Sequence, residues 1–261
     1  MADPAPGRDA GAGEVPLLEV RGLAKRFGGL QAVRDLSFAL REGEIVSLIG
    51  PNGAGKTTVF SLLSGFHVPD AGAIRLRGRS LVGLQPHAIC ALGLARTFQI
   101  VRPFPRLSVL ANAEVGALAR HPRRRAAQAH ARAVLEQVGL GSKVDQLAGS
   151  LTLAERKRLE LARALATGPS LLLLDEVMAG LNAAETERIV ALVRGINRSG
   201  VTILLIEHVM RAVMSLSERV IAINYGELMA EGRPGEVASD PRVIEAYLGE
   251  PAEARASAAP A

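Results

Sequence analysis

Gly50-Pro51-Asn52-Gly53-Ala54-Gly55-Lys56-Thr57-Thr58 is the stretch on which the fold turns. It fits Gly-x4-Gly-Lys-Ser/Thr, a loop that requires a strand before it and a helix after it. Both are legible. Residues 44–49 are a dense apolar run, and residues 56–64 carry a helical pattern that Gly65 stops. For a chain with 27 glycines and 4 lysines in 261 residues, about 0.003 chance matches are expected, so coincidence is rejected. The glycines let the backbone approach phosphate oxygens, and consecutive N–H groups with the helix N-terminus form a concavity for an anion. Residues 50–58 are therefore expected to hold the phosphates of ATP. Lys56 would reach the β- and γ-phosphates and the Thr57 hydroxyl would ligate Mg²⁺.

Working outward, residues 171–174 are four leucines without alternation, as expected of a parallel strand covered on both faces. Asp175 and Glu176 then stand at the strand's C-terminal end, where parallel sheets bind ligands. Beside a phosphate loop, Asp175 is placed to hold Mg²⁺, directly or through water. Glu176 is placed to orient and deprotonate the attacking water. Without the loop, the pair would read as a solvated strand end. His208 follows another strand, 201–206, and is either a surface or capping residue or a donor to the γ-phosphate. Gln99, in Arg96-Thr97-Phe98-Gln99, carries little by itself.

Helices over 183–197 and 209–216 and a strand over 219–223 complete an αβ alternation that predicts a parallel sheet with helices on both faces. Strands are also expected over 17–20 and 74–77. The Ala-rich stretch 84–148, with helical periods over 109–118 and 126–138 and a possible short strand over 94–98, reads as a helical insertion. A helix from Thr152 to 166 follows it.

Hydrophobic residues make up 48% of the chain and charged ones 22%, which supplies a sizeable core. The net charge is +5 and arginine dominates. The cluster Arg120, Arg123, Arg124, Arg125, Arg132 reads as a solvated helix face, with anionic lipid or nucleic acid as alternatives. Six Phe, two Tyr and no Trp make a base-stacking platform a poor fit, so no nucleic-acid partner is expected. Cys90 is the one cysteine, so no intramolecular disulfide forms, and it reads as a small buried apolar residue. No run approaches eighteen apolar residues, so no bilayer span is expected. Residues 1–16 and 251–261 read as disordered tails, the first without the apolar centre of a signal peptide, which predicts a cytosolic compartment.

In order and spacing, the phosphate loop, Gln99, Leu151-Thr152-Leu153-Ala154-Glu155, Asp175-Glu176 and His208 resemble the nucleotide-binding subunit of an ATP-binding cassette (ABC) transporter, over about residues 17–250. Within that family the chain is similar to the ATPases of branched-chain amino-acid importers. That similarity is carried by Phe27-Gly-Gly-Leu-Gln-Ala-Val33, the run from Glu44 to Phe60, Arg96-Thr-Phe-Gln99, Leu204-Leu-Ile-Glu-His208 and Pro241-Arg-Val-Ile-Glu-Ala-Tyr-Leu-Gly249. ATPases of urea, amide and lipopolysaccharide systems share several of these runs.

The resemblance implies an α/β fold: a parallel sheet flanked by helices, an antiparallel β subdomain, and a helical subdomain over about 84–166. It implies ATP hydrolysis coupled to transport, with Phe27 stacking on adenine. Gln99 would contact the Mg²⁺ and water region and couple to a membrane partner. Gly180-Leu-Asn182 would face a second ATPase subunit. The Thr152 hydroxyl and the Ala154 N–H would reach that partner's γ-phosphate. The implied partners are integral-membrane permease subunits, a second ATPase subunit that is a different chain and, indirectly, a periplasmic or extracellular solute-binding protein. The chain would sit peripherally on the cytoplasmic face of the inner membrane and hydrolyse ATP poorly alone.

Two departures from the family pattern matter, one in the signature segment and one after the glutamate. The signature is usually Leu-Ser-Gly-Gly-Gln; here Thr152-x-x-Glu155 makes a capping box, but Leu153 places a Cβ where glycine allows close approach. Val177 stands where proline usually follows the glutamate. The signature is thus expected to function in weakened form, making two composite sites unequal. A kinase or GTPase is disfavoured, since no Asn-Lys-x-Asp motif is present. A cassette acting on DNA or ribosomes is disfavoured by the single phosphate loop and the lack of sustained heptads.

Overall fold

The chain enters through two antiparallel strands, β1 (Leu18–Phe27) and β2 (Leu30–Leu40), and then β3 (Ile45–Ile49), every residue of which is buried. After the phosphate loop come α1 (Lys56–Leu63), β4 (Ala71–Leu76), β5 (Arg79–Ser80), α2 (Pro86–Ala91) and β6 (Leu94–Arg96). A helical block follows, comprising α3 (Val109–Ala117), α4 (Arg124–Gln137) and α5 (Leu153–Ala166). The chain continues through β7 (Leu171–Asp175), α6 (Ala183–Arg198), β8 (Thr202–Ile206), α7 (Met210–Leu216), β9 (Arg219–Asn224) and β10 (Glu227–Gly232), then α8 (Pro234–Ala238) and α9 (Pro241–Leu248). This computed structural model describes residues 15–99 and 103–248; of the expected tails, 1–14 and 251–261 lie outside the described residues.

Two sheets result. One is antiparallel in the order β2-β1-β4-β5, and the other runs β10-β9-β3-β8-β7-β6. In the second, β9, β3, β8, β7 and β6 are mutually parallel and β10 is antiparallel at the edge. Strand periodicity explains the leucine run. Leu171 and Leu173 join a core with Phe60 of α1 and the antiparallel sheet, while Leu172 and Leu174 join a second core with α5 and α6. Successive side chains point to opposite faces, so these four leucines fill two cores at once and the run shows no alternation. Each such leucine contributes about 2 kcal/mol by burial.

The helical block begins later than residue 84. Leu94–Arg96 pairs in parallel with Leu171–Leu173, and Ile89 and Leu94 lie in the core beneath α1. Residues 86–96 thus belong to the sheet layer. Cys90 is only partly buried, because Ile89 takes the inward position of α2. The five arginines of the basic cluster are exposed, Arg124 pairing with Glu114 at 3.1 Å, while Ala127, Ala131, Val134 and Leu135 form the buried face of α4. Among the described residues no helix is long and apolar enough to cross a membrane.

Candidate functional site

The phosphate loop leaves β3 at Ile49 and is wedged between neighbouring strands. A Cβ on Gly50 would collide with the Ile223 carbonyl oxygen, and one on Gly55, at φ 102°, with that of Ala32. Glycine at these two positions is a steric requirement. Ala54 is buried, Pro51, Gly55, Lys56 and Thr58 are partly buried, and Asn52, Gly53 and Thr57 face solvent. The first turn of α1 has neither a side-chain cap nor an acidic residue, which leaves its N–H groups and dipole available to an anion. Lys56 Nζ donates to the carbonyls of Gly50 at 2.6 Å and Pro51 at 2.9 Å. Burial lowers its pKa, opposed by the charges of Glu176 and Asp175.

The carboxylates stand across from this loop. Asp175 Oδ2 pairs with Arg96 Nη2 at 2.9 Å, both side chains almost fully buried. The guanidinium lies among the rings of Phe60, Phe66 and Phe98. Burial raises the Asp175 pKa and Arg96 opposes the rise. Glu176 takes a left-handed backbone, φ 48°. Its Oε2 accepts from Gln99 Nε2 at 2.7 Å and its Oε1 lies 3.9 Å from His208 Nδ1. Gln99, Glu176 and His208 leave the C-terminal ends of β6, β7 and β8, which are adjacent and parallel; the sheet therefore delivers all three to one edge.

Thr57, Gln99 and Asp175 line one cavity of about 510 Å³. A buried carboxylate with a hydroxyl and an amide oxygen is a hard-oxygen set of the kind Mg²⁺ takes when phosphates and water complete its shell. These residues fit the ion.

Two groups of expected site residues stand apart. Phe27 is exposed at the end of β1, edge-on to His67 with ring centres 5.1 Å apart. Thr152 opens α5: its Oγ1 accepts from the Glu155 N–H at 3.3 Å, and Glu155 Oε2 accepts from the Thr152 N–H at 3.0 Å. Thr152 and Leu153 face solvent. Leu153 Cδ2 lies against Gly180, in the loop that a second capping box, Asn182 with Glu185, joins to α6.

Two residues at the site went unread in the sequence. Lys157 is 5% exposed, and its Nζ donates to the Glu176 carbonyl at 2.9 Å. Burial lowers its pKa while Glu207, Glu160, Glu176 and Asp175 oppose the drop. Glu207, 1% exposed, accepts from the Met178 N–H at 2.9 Å, and burial raises its pKa. The signal for Lys157 was its helical register: Leu161 and Leu165, one and two turns on, share its buried face.

The loop, the strand-edge carboxylates and the sheet define a phosphate-loop, nucleotide-binding α/β protein. The ABC transporter family model matches residues 33–179, and the model for the branched-chain amino acid ATP-binding cassette transporter matches residues 227–253. The high-affinity branched-chain amino acid transport ATP-binding protein LivG of Salmonella typhimurium is 47% identical over 90% of this chain and 98% of its own. BraF of Pseudomonas aeruginosa, named for the same transport, is 44% identical with the same coverage. The crystal structure of a nucleotide-free cassette from an ABC transporter matches with TM-score 0.83 at 28% identity, covering 90% of this chain and all of its own. The chain belongs to the ABC transporter family, as its ATP-binding, ATP-hydrolysing cassette. The expected family, fold and transport-coupled ATPase activity are thus borne out.

Proposed function

We propose that the chain is the Mg²⁺-dependent ATPase of an importer for branched-chain or other hydrophobic amino acids, acting at the cytoplasmic face of the inner membrane. The hydrolytic reading is carried by the meeting of Gln99, Glu176 and His208 at one sheet edge. The solute reading is supported by the names of relatives 44% and 47% identical over 90% of the chain.

In this reading residues 17–250 form one nucleotide-binding domain whose helical block carries the signature segment. Lys56 exchanges the Gly50 and Pro51 carbonyls for the β- and γ-phosphates, and residues 50–58 supply backbone N–H donors. Phe27 stacks on adenine. Asp175, Thr57 and Gln99 hold Mg²⁺, which when bound neutralises charge on the phosphates. Glu176 takes the proton of the attacking water, Gln99 fixes the carboxylate, and His208 donates toward the γ-phosphate.

Thr152 and Ala154 serve a partner's nucleotide. The exposure of Thr152 supports this assignment. The partners are integral-membrane permease subunits, a second, different ATPase chain and, through the permease, a solute-binding protein.

The test is reconstitution with those partners in proteoliposomes. ATP-dependent leucine uptake that stops with Glu176→Gln is expected. Uptake unaffected by that change sinks the catalytic assignment, and transport of other solutes only sinks the amino-acid assignment.

A further inference from the structure

Gly50 sits one residue beyond the last ladder pairs of β3, Leu48 with Ile206 on one side and Ile49 with Ala222 on the other. Its N–H therefore has no strand partner at the point where the sheet hands over to the phosphate loop. The partner it finds is remote in sequence. Gly50 donates to the Tyr247 hydroxyl at 2.7 Å, across 197 residues.

Tyr247 belongs to α9, and that helix is seated at the same place by a second residue. Val243, one turn earlier, is 4% exposed and shares a small core with Ile49, Val213, Val220 and Ala222. Positions i and i+4 lie on one helix face, so this face of α9 meets the last residue of β3 and the first residue of the loop together. The Tyr247 side chain is 40% exposed, so only part of it is shielded, and it is the hydroxyl contact with Gly50 that fixes its place. Partial burial raises its pKa above the usual phenol value, and the group is a neutral hydroxyl near neutral pH. A Cβ on Gly50 would meet the Ile223 carbonyl oxygen, so that side of the residue has no room for a side chain. The loop's first residue is thus held by backbone on one side and by α9 on the other.

We infer that Tyr247 is a positioning residue of the nucleotide site: through Gly50 it sets the conformation of the phosphate loop and makes the C-terminal helix α9 part of the ATP-binding machinery. Lys56 contacts the carbonyl of this same glycine, so displacement of Gly50 also moves the anchor of the phosphate-binding lysine. Loss of the hydroxyl leaves the Gly50 N–H without a fixed acceptor and loosens the loop before nucleotide arrives. The effect belongs to binding and not to the chemical step, because Glu176, Gln99 and His208 lie on other loops.

The inference rests on residues 50–58 being the phosphate-binding loop. Both ideas are tested by ADP titration of the full chain by calorimetry, with hydrogen exchange followed on the peptide covering the loop. Tyr247→Phe is expected to weaken ADP binding by about threefold to tenfold, the worth of one hydrogen bond, and to speed exchange in the loop. In the assembled transporter, KM for ATP should rise by a similar factor with turnover at saturating ATP unchanged. Ile244→Ala, an exposed change on the same helix, should do neither. Wild-type affinity and exchange in Tyr247→Phe overturn the inference, as does an equal loss in Ile244→Ala, which would assign the effect to the helix as a whole. Lys56→Ala separates the underlying reading. If it loses ADP while Tyr247→Phe binds normally, only the role of Tyr247 fails; if it binds as wild type, the loop assignment itself fails.

Discussion

Lys157 Nζ and the main-chain oxygen of Glu176 are joined by a 2.9 Å hydrogen bond that ties the interior of α5 to the turn after β7. The turn needs holding. Glu176 is a non-glycine residue at φ 48°, a conformation that costs about 1–3 kcal/mol. Two residues later Glu207 grips the Met178 N–H. The backbone carrying the proposed base is thus clamped on both sides by buried charged groups, one of them on the helix that Thr152 starts.

Lys157→Met should therefore lower turnover more than nucleotide affinity. We expect at least a tenfold loss in ATPase rate in the assembled complex, with ADP affinity held within about twofold, since base geometry carries much of the acid–base contribution. Stability should fall by about 3 kcal/mol as the buried carboxylates lose their cation. Adding Glu207→Gln should restore part of the stability without restoring rate; recovery of both would reduce Lys157 to a structural role.

Glu176→Gln should retain ATP and slow hydrolysis by about 10²–10⁴-fold, because the shape is kept and the proton acceptor removed. Single-turnover measurements with saturating ATP check this. Normal turnover in the Gln variant would remove Glu176 from the mechanism.

Thr152 and Leu153 test the departing signature separately. Thr152→Ala breaks the capping box and should cost about 1 kcal/mol of stability, as well as lowering turnover in the assembled complex. Leu153→Gly should raise turnover if the Cβ restrains approach to a partner's phosphate. An ATPase rate indifferent to both changes would refute the weakened-signature reading.

Glu44 and Arg219 give the molecule a pH-dependent staple. Arg219 binds both Glu44 oxygens at 2.8 Å and also reaches the Ala39 carbonyl at 2.6 Å and Glu231, linking β9 with β2 and β10. Burial works against the Glu44 charge, but Arg219 and the Arg41 N–H outweigh it and hold the carboxyl below its ordinary 4.5. A depressed folded-state pKa stabilises above the unfolded value and is lost as pH falls through the folded one. Glu44→Gln should cost about 1–3 kcal/mol at pH 7 by urea unfolding, and the difference from wild type should shrink steadily below pH 4.5.

Much of the site was readable residue by residue. The phosphate loop is a backbone shape specified by consecutive residues, and the non-alternating leucines before Asp175 announce a strand covered on both faces. The capping box at Thr152 is equally local, and α5 begins there as its sequence requires. Other elements were hidden by irregularity. β2 pairs with β1 through several register shifts, so its inward residues keep no clean alternation. The hairpin into β10 turns through Tyr225 and Gly226, both at positive φ, and tyrosine is an unusual first residue for such a turn.

By itself, the sequence determined the phosphate loop, the strand-edge carboxylates and the starts of α1, α3, α5 and α6, because each depends on neighbours within a few residues. Only the tertiary structure decided that Gln99 and His208 meet at Glu176, that Lys157 and Glu207 clamp the same turn, and that Tyr247 reaches back to Gly50. These contacts depend on strand order and on which face each helix buries. Such choices are made by the packing of the whole chain, and no local pattern carries them.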